Sequence, residues 1–375
     1  MDRNTRIIHE NNVKDPSRGV VSPLVLATSF ERGDDGISLP GGYLYSRYDN
    51  PNRHALESKL NMMENGAACI SFASGLAAAT AVFQSLRSGD HVLLPDDCYF
   101  SVKTIVSKLF SNFGLSYSIV DMSDITAVEA AIQSNTKVIW IETPSNPMLK
   151  IADIAALVAL AKKHQCFTVA DNTWATPYHT QPIDFGIDIV LHSTTKYMGG
   201  HSDILGGALI FRENDERYEF IRAHQQYGGA VPSPFDCWLL CRSLQTFYAR
   251  MPLHNENAMQ LAKYLSQHAA IQEVLYPGLP SHPQHALASK QMKNGFGGML
   301  SVRLKAGKDA ALQLATSLKL FAHATSLGGV ESLIEHRQST EGPDTKTPDD
   351  LLRISVGIEA VADLIADFDQ ALAKI

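Results

Sequence analysis

Lys196 sits in HSTTKYMGGHSD (192–203), which leaves the apolar stretch IDIVL (187–191) through Ser193, Thr194 and Thr195 and then reaches Gly199-Gly200. An amine held at a strand end can form a Schiff base with an aldehyde, and hydroxyl neighbours can donate to an anion. Asp171 ends another apolar stretch, FTVAD (167–171), and offers an anion. Ser74-Gly75-Leu76 ends a third stretch and opens a helical pattern, where free N–H groups and the helix dipole suit a phosphate. Tyr99 follows HVLLPDDC (91–98) and offers an aromatic face. Each residue alone has an ordinary explanation: a solvated lysine, a helix cap, an ion pair, a core ring. Together they describe one ligand with an aldehyde, a basic ring nitrogen and a phosphate, which is pyridoxal 5′-phosphate. A nucleotide-binding loop does not fit, because the glycines follow the lysine instead of preceding it.

Such residues meet only if strands carry them to one edge. From residue 66 to 211 short apolar runs alternate with helix-period segments. Strands are expected at 67–73, 91–96, 116–121, 137–143, 166–171, 188–193 and 207–211. Helices are expected at 76–86, 100–110, 125–134 and 153–164, the last capped by Asp153. This alternation predicts an α/β fold with a mostly parallel central sheet, and ligands bind beyond the carboxyl ends of such strands. The stretch 20–53 is rich in Pro and Gly without periodicity, so residues 1–55 read as an arm. Residues 56–245 then form a large cofactor-binding domain. Residues 246–375 form a smaller C-terminal α+β domain, with helices at 255–269 and 360–373 and strands near 298–304.

The chain of 375 residues has 45% hydrophobic and 19% charged residues, as expected of a soluble globular protein. Its net charge of −7 gives no basic footprint for nucleic acid or an anionic membrane. The opening MDRNTRIIHENN lacks the apolar core of a signal peptide, and IADIAALVALA (151–161) is too short to span a bilayer. The five cysteines are scattered, and Cys237 and Cys241 lie one helical turn apart, which is not zinc-site spacing. Buried thiols, a cytoplasmic location and no metal are expected.

Read in order, YLYSRYDNPN (43–52), SFASGLAAA (71–79), ETPSNPMLKIADI (142–154), VADNTWATP (169–177), HSTTKYMGGHSDILGG (192–207), SLGGVESLIEH (326–336) and LLRISVGIE (351–359) resemble the pyridoxal-phosphate trans-sulfuration enzymes of Cys/Met metabolism. That family includes cystathionine γ-synthases, cystathionine β- and γ-lyases and methionine γ-lyases. The resemblance implies the aspartate-aminotransferase-like fold type I and a homotetramer, a dimer of dimers with active sites shared between subunits. It implies that Lys196 holds the cofactor covalently, that Asp171 pairs with the ring nitrogen and that Tyr99 stacks on the ring. Gly75, Leu76, Ser193 and Thr195 would hold the phosphate, with Thr173 beside them. Tyr45 and Arg47, in the arm, would reach a neighbouring subunit's phosphate. Arg353 would grip the substrate α-carboxylate, with Asn146, Ser326 and Thr325 close by.

The implied chemistry is proton removal at the substrate Cα by Lys196, with Tyr99 or Tyr45 assisting, followed by loss of a thiolate. Three departures from the family pattern bear on the substrate. Leu76 replaces a common Met, and Thr325 stands where γ-type members often have Glu and some β-lyases have an aromatic in the same neighbourhood, so it matches neither. HRQSTEGPDTKTPDD (336–350) replaces a longer segment that begins with Pro. The missing acid at 325 favours a C–S lyase that cleaves L-cystathionine by β-elimination to homocysteine, pyruvate and ammonia. The alternatives are γ-synthase or γ-lyase activity and, from a different class, a non-catalytic cofactor-fold regulator or binding protein.

Overall fold

The computed structural model describes residues 1–14, 16–342 and 345–375. Seven short apolar runs become β1 (Ala68–Phe72), β2 (His91–Pro95), β3 (Ser116–Val120), β4 (Thr136–Glu142), β5 (Phe167–Asp171), β6 (Ile189–His192) and β7 (Gly207–Phe211). They form one sheet in the order β1-β7-β6-β5-β4-β2-β3. The pairs among β2 to β6 are parallel, whereas β7 runs antiparallel to both β1 and β6.

The apolar runs read as continuous because both faces of this sheet are covered. Leu93, Ile139, Ile141, Ala170 and Val190 join the core on one face. Their alternates Val92, Leu94, Val138, Trp140, Val169 and Ile189 join the core on the other. Each fully buried side chain of this size contributes about 1.5–3 kcal/mol. Strand β3, at the edge, keeps Tyr117 and Ile119 exposed.

Three of the four helices expected between the strands are present at Gly75–Gln84, Ile154–Lys163 and Ile125–Ala131. Asp153 caps its helix by accepting from the Ala156 N–H. The fourth is altered. Only Phe100–Thr104 is an α-helix, and the chain then widens into a π-turn (Ile105–Leu109) and tightens into a 3₁₀ turn (Phe110–Phe113). Hydrophobic period alone does not separate these three windings.

A second sheet contains β8 (Ile271–Leu275), β9 (Met299–Leu304), β10 (Ala322–His323), β11 (Leu333–His336) and β12 (Leu351–Ser355), in the order β10-β11-β12-β9-β8. All its pairs are antiparallel except β10–β11. The final helix, Val361–Leu372, buries Leu364, Phe368 and Ala371 against it. A long helix, Phe247–Ser266, precedes this sheet and begins earlier than the pattern suggested, because Pro252 near its start does not stop it. Ahead of β1, Arg3–His9 and Pro51–Glu64 are helical. The second is capped by Asn50, so the DNPN turn is a helix start.

Candidate functional site

The carboxyl ends of β4, β5 and β6 open into a cavity of about 540 Å³, closed on the other side by residues from 325–353. Lys196, Asp171, Tyr99, Gly75, Leu76, Ser193, Thr195, Thr173, Arg353, Asn146, Ser326 and Thr325 all line it. Tyr45 and Arg47 do not reach it. Tyr45 is exposed. Arg47 donates to the Gln226 carbonyl at 2.7 Å and lies 4.7 Å from the Tyr48 ring centre.

Lys196 follows β6 through a tight turn in which its own N–H bonds the Ser193 carbonyl and Gly200 N–H bonds the Lys196 carbonyl. Gly200 has φ +71°, and a Cβ there would collide with the Arg250 guanidinium, which itself donates to the Tyr197 carbonyl at 2.8 Å. The glycine pair therefore lets an arginine brace the turn that carries the lysine. Lys196 Nζ donates to Ser326 Oγ at 2.6 Å. Burial, reinforced by the Arg353 charge, lowers its pKa to about 8, against the opposing pull of Glu335.

Gly75 opens the helix Gly75–Gln84, and a Cβ on it would meet Ser193 Cβ at 2.9 Å. The helix N-terminus is thereby pressed against the strand end that leads to Lys196. Ser74 is a helix cap, accepting from Ala77 N–H at 3.0 Å, while the N–H groups of Gly75 and Leu76 have no intrahelical acceptor. Thr173 accepts from Ser193 N–H at 2.9 Å, and Thr195 Oγ1 accepts from Gly206 N–H at 3.1 Å. The first bond ties the β6 exit to the β5 exit, and the second ties it to the approach to β7.

Asp171 faces the cavity from the end of β5, with the Thr173 N–H bonded to its carboxylate at 3.0 Å. Burial pushes its pKa up, while Thr173 and His192 oppose the rise. A cation placed in the cavity would oppose that rise and favour the carboxylate form. His192 is itself buried, 2.5 Å from Glu64 Oε1, which also accepts from Asn172 Nδ2 at 2.7 Å.

Two groups on the cavity wall went unremarked in the sequence. Glu142 ends β4 in register with Asp171 and accepts from Tyr99 N–H at 2.9 Å. Burial first, and then the Asp171 charge, push its pKa well above the ordinary carboxylate range. Its position at a strand end was the available signal. Arg337 follows β11, only 2% exposed, and lines the cavity within the shortened 336–350 segment. Pro343 and Asp344 of that segment lie outside the described residues.

Arg353 lies on β12 opposite Glu335 on β11. It bonds Glu335 at 2.5 Å, the Ser326 carbonyl at 3.0 Å and Asn146 Oδ1 at 3.2 Å. The buried guanidinium thus has carboxylate, carbonyl and amide partners along one wall of the cavity.

The family model described as Cys/Met metabolism PLP-dependent enzyme matches residues 4–373. The chain belongs to this family. It is 48% identical to a cystathionine γ-synthase of Mycobacterium leprae over 98% of this chain and 96% of that protein. It is 43% identical to a cystathionine β-lyase of Coxiella burnetii, covering 98% of this chain and 97% of that one. The structure of a cystathionine γ-lyase from Lactobacillus plantarum, complexed with L-serine, superimposes with a TM-score of 0.95 at 38% identity, covering 100% of this chain and 99% of that one. The expected fold type I and the expected cofactor, pyridoxal 5′-phosphate, both stand.

The cavity fits that cofactor on its own chemistry. It holds an amine of lowered pKa, a buried carboxylate needing a cation, and a helix N-terminus with free N–H groups beside two hydroxyl residues. Among the described residues no helix is long and apolar enough to cross a membrane.

Proposed function

We propose that the protein is a C–S lyase that cleaves L-cystathionine by β-elimination. The cofactor, when bound, supplies an aldehyde for covalent capture and a ring that spreads negative charge from the substrate Cα. Lys196 is its covalent anchor, Asp171 its ring-nitrogen partner and Tyr99 its stacking face. Gly75, Leu76, Ser193, Thr195 and Thr173 form its phosphate cradle.

Arg353 takes the substrate α-carboxylate, with Asn146 and Ser326 beside it, which turns Cα towards Lys196. A lysine with pKa of about 8 is partly neutral at physiological pH and can accept the Cα proton. As the Cβ–S bond breaks, its electron pair leaves on sulfur, and the thiolate takes up a proton to give homocysteine. The remaining fragment takes up water to give pyruvate and ammonia.

The observation behind β-elimination is that residue 325, on the cavity wall, is Thr and not an acid. Loss from Cγ needs a second proton removal at Cβ, and no carboxylate stands at this position to assist it. The 48% identity to a protein named cystathionine γ-synthase favours a second reading, γ-replacement on an activated homoserine ester. Incubation of the cofactor-loaded protein with L-cystathionine separates them. Pyruvate supports β-elimination and 2-oxobutyrate means γ-cleavage. Neither product, together with cystathionine formation from an O-acyl-homoserine and cysteine, supports the synthase.

We also infer a homotetramer with shared sites, in which Tyr45 and Arg47 serve the cavity of a neighbouring subunit. Both sit outside this chain's own cavity, and the arm around them exposes Val20, Val21 and Leu26. The division into arm, large domain and small domain at 55 and 245 is part of the same reading, as is a cytoplasmic setting suited to five unpaired thiols.

A further inference from the structure

Glu335 presents a difficulty for carboxylate binding. It bonds Arg353 at 2.5 Å, so by itself it would cancel the charge that a substrate carboxylate needs. The same oxygen, Oε2, also accepts from Arg337 Nη1 at 3.0 Å, and Thr340 donates to Oε1 at 2.8 Å. One buried carboxylate is therefore shared between two guanidinium groups.

Arg337 is held in turn from its far side. Its Nη2 donates to Glu341 at 2.7 Å, and Glu341 Oε2 accepts from the Thr345 and Thr347 hydroxyls at 2.5 and 2.7 Å. Arg337 Nε is buried and has no hydrogen-bond partner among the described residues. Burial first, and then the neighbouring Arg337 charge, lower the Arg353 pKa to about 10 against the opposing pull of Glu335. Both arginines line the cavity.

We propose that Arg337 is a positioning residue for substrate: it shares the Glu335 charge so that the Arg353 guanidinium remains available for the substrate α-carboxylate. The proposal rests on the reading that Arg353 takes that carboxylate. It gives the shortened 336–350 segment a role, since the residue after His336 becomes the counter-cation of the carboxylate seat.

The test compares L-alanine with L-alaninamide, which differ only in the carboxylate, binding to the cofactor-loaded protein and read by the change in cofactor absorbance. Wild type should prefer the acid. Arg337→Met should cut that preference by roughly 30-fold, the effect of leaving one buried charge unbalanced. Arg337→Lys, which keeps the charge, should retain most of it. Glu335→Gln with Arg337→Met should return the preference to within about threefold of wild type, since neither charge then remains to be balanced. A merely structural role would weaken acid and amide alike and would not be rescued by the double variant.

Unchanged preference in Arg337→Met, or failure of the double variant to recover it, overturns the proposal. If Arg337→Met does not fold, the Lys and double variants decide, and loss of preference in both overturns it. Arg353→Met separates the two claims. If that variant keeps the preference for the acid, the reading of Arg353 itself fails. If it loses the preference while Arg337→Met keeps it, only the role of Arg337 fails.

Discussion

Lys196→Met should stabilise the protein once the cofactor has been dialysed away. The amine is largely buried and its pKa falls from 10.5 to about 8. Below pH 8 it is charged both folded and unfolded, and the folded state alone bears the cost of burying the charge. That cost is about 3 kcal/mol at 1.36 kcal/mol per pKa unit. Above pH 10.5 the amine is neutral in both states and the cost disappears. The hydrogen bond to Ser326, at 2.6 Å, is lost on substitution and returns about 1 kcal/mol. Methionine fills a similar volume without a charge, so the net gain at pH 7 is about 2 kcal/mol. Urea unfolding of the cofactor-free wild type and variant at pH 7 and pH 10.5 measures it. The variant should be more stable at pH 7 and no more stable, or slightly less so, at pH 10.5. A variant that loses stability at pH 7, or a difference that ignores pH, would refute the reasoning that Lys196 is held in an environment hostile to its charge.

Three further outcomes are expected. Gly75→Ala places a Cβ 2.9 Å from Ser193 Cβ, so pyridoxal phosphate affinity, titrated by absorbance, should fall about tenfold or more with an overpacking cost of about 1–3 kcal/mol. Asp171→Asn keeps the shape but removes the anion, so the rate of keto-acid release under saturating substrate should fall by roughly a hundredfold. His179 and His254 are held by burial at a pKa of about 4, well below the ordinary 6.5. The unfolded chain therefore takes up protons first as pH falls. Stability is complete above pH 6.5 and is lost between 6.5 and 4, by about 2–3 kcal/mol per histidine at pH 4.5 in urea unfolding. His254→Gln should flatten that slope.

What the sequence made legible follows from where strands end. Asp171 and Lys196 could be found because each closes a short apolar run whose length and composition mark a buried parallel strand. The helix Gly75–Gln84 announced its cap, Ser74, in the same way. Glu142 obeys the same rule and was recoverable, but its significance depends on sitting in register with Asp171, which is a property of the sheet. The Glu335, Arg337 and Arg353 arrangement could not be read beforehand. Glu335 and Arg353 are distant in sequence and meet only because β11 and β12 pair antiparallel with these residues opposite one another. The winding of 100–113 and the start of the long helix ahead of Pro252 were likewise decided by packing, since segments of four or five residues are too short for the hydrophobic pattern to distinguish α, 3₁₀ and π windings. Tyr45 and Arg47 mark the remaining boundary, because their proposed destination is another copy of the chain.

The most direct test of the central claim is to reduce the pyridoxal-phosphate-loaded protein with borohydride, digest it and locate the modified lysine by mass spectrometry. The phosphopyridoxyl group is expected on Lys196, and Lys196→Ala should lose both the adduct and keto-acid release from L-cystathionine. Modification of a different lysine, or turnover retained by Lys196→Ala, would contradict it.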